Sequence, residues 1–217
     1  MRIDKRYISE YLGTFILIFM GTGAIIVSNQ TGAFGHTSIA FVFGSAVMTL
    51  IYGFGHISGA HFNPAVSIGF FINREFGLVD TIFYCVSQIL GATTASFFLS
   101  IIFNEQTNIG VTQPTNGWQQ SFFLELILTL ILMFIILLSA THGKANKPFA
   151  GIAIGSTIAI EALVFGAISG ASMNPARSIA PALISGNLDF LWIYIISTII
   201  GSSIAVILYN SIFREKL

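Results

Sequence analysis

Two stretches decide the architecture: Ser58-Gly59-Ala60-His61-Phe62-Asn63-Pro64-Ala65-Val66-Ser67 and Ser169-Gly170-Ala171-Ser172-Met173-Asn174-Pro175-Ala176-Arg177-Ser178. They share Ser-Gly-Ala, Asn-Pro-Ala and a closing Ser, and Asn63 and Asn174 stand 111 residues apart in a chain of 217. A repeat at half the chain length means duplicated halves rather than a stack of small units. Asn-Pro is also a helix start: Asn caps with its side-chain oxygen, and Pro at the first helical position sacrifices no hydrogen bond. Each copy therefore predicts a small-residue loop running into a helix.

Working outward, 54% of residues are hydrophobic and 8% charged, with a mean hydropathy of +0.85. A soluble domain carries about 25% charged residues, so the chain is expected to be an integral membrane protein. Nine basic and nine acidic residues cancel, which points away from nucleic acid. Cys85 is the sole cysteine, so no disulfide framework or thiolate metal site is expected. His56 and His61 have too few neighbouring ligands for a metal. No nucleophile–base pair or phosphate loop suggests an enzyme, and no cofactor is expected. The basic start (Arg2, Lys5, Arg6) before an apolar run has the look of a signal peptide. The run is too long and lacks a small-residue cleavage pattern, so it is taken as the first membrane span.

Segments near 7–28, 38–56, 79–103, 119–141, 149–168 and 189–211 are long and apolar enough to span, given the ~20 residues required. Those near 63–72 and 174–185 are too short, and both begin at Asn-Pro. The linker Asn104–Trp118 holds the turn formers Pro114, Thr115, Asn116 and Gly117. The expected fold class is an all-α membrane protein of six spans and two re-entrant half-helices. It forms one domain over 1–217, with repeats at about 1–105 and 116–217. Three spans per half is odd, so the halves insert in opposite orientations, as an inverted repeat. Gly13, Gly21, Gly91, Gly155 and Gly201 suit close helix approach. Arg2, Lys5, Arg6, Arg74, Lys144, Lys147, Arg214 and Lys216 then fall on one side, which predicts cytoplasmic termini.

The half-helix starts should meet mid-bilayer. Irregular backbone there needs protein or a water-filled cavity beside it. The carbonyls of Gly59, Ala60, His61 and Phe62, and of Gly170, Ser172 and Met173, are expected to line such a pore. Asn63 and Asn174 can turn amide donors toward it, and two helix N-termini bring about half a positive charge each. That barrier opposes protons and cations but not neutral molecules.

With these motifs the chain resembles the aquaporin (major intrinsic protein) family, whose signature is the paired Asn-Pro-Ala. The stretches Gly55–Ser67 and Gly170–Ala182 are especially similar to bacterial relatives and the plant nodulin-like intrinsic proteins. The resemblance implies a selectivity constriction at Phe43, Ala162, Ala171 and Arg177. Strict water channels usually carry His where this chain has Ala162. Ser178, Ala182 and Trp192 point back toward water channels, since glycerol facilitators tend to carry Asp and a basic residue in place of Ser178 and Ala182. Glu10 and Glu125 are either proton-relay groups or acceptors for loose loop N–H groups; they match the family's scaffold glutamates, which favours the second. Glu161 is expected to bond loop backbone or to line the pore edge. His36 and His142 are taken as ordinary loop residues.

The expected function is a passive channel for water and small uncharged solutes (glycerol, urea, metalloid hydroxides) that excludes protons and ions. A strict water channel is the nearest alternative, and an ion-coupled secondary transporter the next. The resemblance implies a homotetramer with one pore per subunit, and the cell membrane is the expected location.

Overall fold

Each apolar run becomes one helix. This computed structural model describes residues 4–33, 35–104 and 109–213, and these are helical with short connections and no strand. Arg2, Arg214 and Lys216 lie outside the described residues. Among the described residues, six helices are long and apolar enough to cross a membrane. They are α1 (Lys5–Thr31), α2 (His36–Ser58), α4 (Leu78–Ile102), α5 (Trp118–Ile136) with its extension to Thr141, α6 (Ala150–Ser169) and α8 (Leu191–Ile212). Between them stand α3 (Pro64–Ile72) and α7 (Pro175–Ser185), of 9 and 11 residues. At ~1.5 Å per residue each covers about half of a ~30 Å hydrocarbon layer.

Local chemistry sets the boundaries. Asp4 caps α1 by accepting from the Arg6 backbone N–H at 2.9 Å. Hydrogen bonds from Arg6 hold the Asp4 carboxyl below the usual carboxylate range. The Arg6 guanidinium also reaches Asp80 at 3.1 Å, which ties the start of α1 to that of α4. Asn63 and Asn174 cap α3 and α7, with Pro64 and Pro175 as first helical residues. The segment expected as helix through residue 141 loosens instead. From Leu137 to Thr141 it is a π-turn, with the His142 N–H on the Leu137 carbonyl at 2.9 Å. The Ser139 and Thr141 hydroxyls bond back to the Ile135 and Leu137 carbonyls at 2.6 and 2.9 Å, competing with the regular ladder.

Polarity is inverted relative to a soluble protein. Glu10, Gln88, Glu125, Glu161 and Arg177 are buried, whereas Phe41, Val79, Phe123 and Ile160 are exposed on the outside. Such a surface suits lipid, and buried charged groups in a bundle must find partners inside it.

The helices pack where glycine removes a side chain. A Cβ at Gly91 would sit 2.2 Å from the Tyr11 carbonyl oxygen, and one at Gly201 would sit 2.2 Å from that of Leu126. These contacts join α1 to α4 and α5 to α8 in the same way. Gly44 and Gly155 face one another between α2 and α6, each Cβ position lying 2.4–2.6 Å from the other's carbonyl. Gly91→Ala or Gly201→Ala should therefore force two backbones apart and cost about 1–3 kcal/mol. The measurement is the thermal unfolding midpoint in detergent. Gly53→Ala, which meets open space, should leave the midpoint unchanged or raise it, since Ala is the better helix former.

Candidate functional site

Where α2 ends, the backbone turns back through the protein interior. Gly59 and Gly170 stop α2 and α6 in the left-handed conformation, at φ 85 and 91°. Ala60, Phe62, Ala171 and Met173 also have positive φ, a conformation that costs non-glycine residues free energy and persists only where the surroundings hold it.

A carboxylate provides that hold in each half. Glu10 Oε1 accepts from the His61 N–H at 3.0 Å, and Oε2 from the Phe62 N–H at 2.7 Å. Ser58 Oγ and Gln88 Nε2 donate to the same carboxylate at 2.6 and 2.8 Å. Glu125 repeats the arrangement, accepting from Ser172 N–H, Met173 N–H and Ser169 Oγ at 2.8–2.9 Å. Tyr84 and Tyr194 complete the frames, each donating its hydroxyl to the carbonyl of Ser58 or Ser169 at 2.7 Å.

The half-helix N-termini abut. Asn63 Oδ1 caps the Ala65 N–H, while Nδ2 donates to the Met173 carbonyl at 2.7 Å. Asn174 Oδ1 caps Ala176, while Nδ2 donates to the Phe62 carbonyl at 2.9 Å. Each amide thus spends one hydrogen on the opposite loop. An NH2 carries two, so the second is free for the cavity that both residues line.

That cavity has a volume of about 370 Å³ and runs between the two halves, mostly along apolar wall. Gly59, Ala60, His61, Phe62, Gly170, Ser172 and Met173 line it, as do Phe43, Ala162, Ala171 and Arg177. Pro64, Ala65, Pro175 and Ala176 lie behind the asparagines, buried in the helix starts. Arg177 is 5% exposed; its guanidinium donates to the Gly110 carbonyl and stands 5.3 Å from the Phe43 ring centre. Phe43 in turn lies against Gly21, where a Cβ would meet its ring at 2.2 Å.

Two expectations need correction. Glu161 neither bonds the loop backbone nor lines the cavity. It is 5% exposed, with no hydrogen-bond partner on either oxygen among the described residues. One helical step turns about 100°, which carries it off the wall that Ala162 occupies and within electrostatic range of Glu125. His36 is no loop residue: it begins α2, lines the cavity and sits 2.9 Å from the Leu163 carbonyl. Ser58, Ser169, Tyr84, Tyr194 and Gln88 were not singled out from sequence. Ser58 and Ser169 open the repeated stretches, and Tyr84 and Tyr194 recur at nearly the same offset, so the repeat could have revealed these four.

Residues 1–209 match the family model described as Major intrinsic protein. The chain belongs to the major intrinsic protein family. It is similar to aquaporin NIP1-1 of Zea mays, at 40% identity over 98% of this chain and 76% of that one. Nodulin-26 of Glycine max is 39% identical, over 95% of this chain and 77% of its own length. Among solved structures, the aquaglyceroporin from Plasmodium falciparum superposes with a TM-score of 0.84 at 27% identity, over 96% of both chains. The protein is accordingly an integral, multi-pass membrane channel that passes water and small solutes passively, and it is not an enzyme.

Glu125→Gln puts an amide donor opposite a loop N–H and leaves that buried group unpaired, at about 1–3 kcal/mol. Thermal unfolding in detergent should show a lowered midpoint, with water permeability reduced per molecule. Glu161→Met should instead raise the midpoint, because it removes a buried polar group that has no partner.

Proposed function

We propose that this channel conducts small neutral hydroxyl- and amide-bearing solutes (glycerol, urea and metalloid hydroxides such as boric or arsenous acid) as well as water, and excludes protons and ions. The observation that carries this reading is the wall that Ala162 and Ala171 form with Phe43 around a single Arg177. Two alanines leave width and an apolar surface, while Arg177 supplies hydrogen-bond donors along one line. A solute with one carbon face and one row of oxygens suits both.

Ser178 does not weaken the case. Its hydroxyl is buried away from the cavity, 2.6 Å from Ser172 Oγ and 2.8 Å from Thr112 Oγ1. It therefore serves to fasten the outer linker to the second loop rather than to choose solutes. Ion exclusion rests on the paired helix N-termini and on Arg177, whose positive field opposes cations. The first repeat carries Val66 where the second has Arg177, so this positive charge lies on one side only.

We further propose that both termini are cytoplasmic, that the protein resides in the cell membrane, and that four copies assemble with one pore each. The basic residues Lys5, Arg6, Arg74, Lys144 and Lys147 support the orientation. Two repeats, at about 1–105 and 116–217, make up the single channel domain.

Purified protein in liposomes tests this. Glycerol should enter well above the lipid background, and Ala162→His should cut that entry sharply while water still passes. A parent protein that excludes glycerol, urea and boric acid alike would be a strict water channel. Flux that saturates or follows a Na+ or proton gradient would mark a coupled transporter.

Arg177→Val should introduce a proton or cation leak, read with a pH-sensitive dye under an imposed potential. If the variant stays as tight as the parent, the helix ends hold the barrier alone.

A further inference from the structure

His36 stands in an unusual place. It is the first residue of α2, yet its Nε2 meets the carbonyl of Leu163 on α6 at 2.9 Å, next to constriction residue Ala162. Its ring also covers Gly166, where a Cβ would lie 2.9 Å from ring carbon Cε1. Gly166 is one helical turn beyond Ala162 on the same face of α6. The imidazole therefore occupies the wall directly outside the gap that Ala162 leaves, and it arrives from a different helix. Both His36 and Gly166 line the cavity, and so does Gln113 of the outer linker.

The chemistry of the ring follows from its contact. A carbonyl oxygen only accepts, so Nε2 carries the hydrogen, which in the neutral form of the ring makes Nδ1 an acceptor. Arg177 below it has donors and no acceptor. A hydroxyl has one hydrogen to place as well as lone pairs to satisfy, and in losing its water at the mouth it needs both kinds of partner. Gln113 is exposed, takes part in no side-chain hydrogen bond among the described residues, and offers an amide with both functions.

We propose that His36 and Gln113 form an outer subsite for small neutral polyols, which accepts their hydroxyl hydrogens before Arg177 takes their oxygens. The inference rests on the solute reading above. The subsite favours hydroxyl-bearing solutes over water because a polyol engages the acceptor and the donors together, whereas water passes them one at a time. A tie between α2 and α6 alone would need only the Nε2 contact and would not require the ring to border the cavity.

The test compares glycerol entry with osmotic water flow in liposomes at matched protein content. His36→Phe keeps a ring over Gly166 without an acceptor; His36→Asn restores a polar acceptor without the ring. The glycerol-to-water ratio should fall about fivefold in His36→Phe, the effect of losing one hydrogen bond of ordinary net strength, and recover in His36→Asn. Gln113→Leu should lower the same ratio, and it carries the test if His36→Phe does not assemble. If glycerol and water fall in parallel, or if the ratio stays at the parent value in both His36→Phe and Gln113→Leu, His36 is only a helix tie and the subsite is refuted. If the parent passes no polyol, the solute reading and the subsite fall together; if it passes polyols with unchanged ratios in the variants, the subsite alone falls.

Discussion

A carboxylate that accepts two consecutive backbone N–H groups is the constraint on which the rest of this structure depends. Glu10 does it for His61 and Phe62, and Glu125 for Ser172 and Met173. Without such an acceptor, a loop folded back at membrane depth would leave polar groups unpaired in an apolar setting, at several kcal/mol. With it, the loop tolerates positive φ at Ala60, Phe62, Ala171 and Met173. The loops then line the cavity, and Asn63 and Asn174 arrive in register to cap α3 and α7. Helix starts, pore wall and solute path all follow from two buried glutamates.

Much of this was legible in the chain itself. Hydropathy marks the six spans because a membrane helix must be apolar for its whole length, and Asn-Pro marks α3 and α7 because capping is local chemistry. The cavity residues beside the repeated stretches were legible through the repeat and the resemblance. What stayed hidden depends on rotation and on approach between helices distant in sequence. Glu161 differs from Ala162 by one step, and no periodicity says which of the two borders the cavity. His36 reads as a residue between two spans until α6 is placed beside it. The π-turn after Ile136, where Ser139 and Thr141 bond backward, is a local departure that a hydropathy profile cannot register. Gly44 facing Gly155 likewise becomes visible only once α2 and α6 cross.

The cavity divides its work between backbone and side chains. Both halves contribute loop residues and one asparagine to its lining. Phe43, Ala162, Ala171 and Arg177 differ in kind, and they come from α2, α6, the second loop and α7. The first repeat has Val66 where the second has Arg177, so the symmetry between the halves is broken at the cavity wall. Linker residues take part as well: the Gly110 carbonyl receives the Arg177 guanidinium, and Thr112 reaches Ser178. A connection that joins the two halves in sequence thus steadies the Arg177 guanidinium beside the cavity.

The reciprocal joint between the loops has an evolutionary corollary. Asn63 bonds the main-chain oxygen of Met173, and Asn174 that of Phe62. Neither asparagine reads the side chain of the residue it grips. The copies are therefore free to drift at those positions, and they have done so: Phe62 answers to Met173. A duplicated gene could diversify its two halves independently without loosening their union, provided each kept its amide and its glutamate.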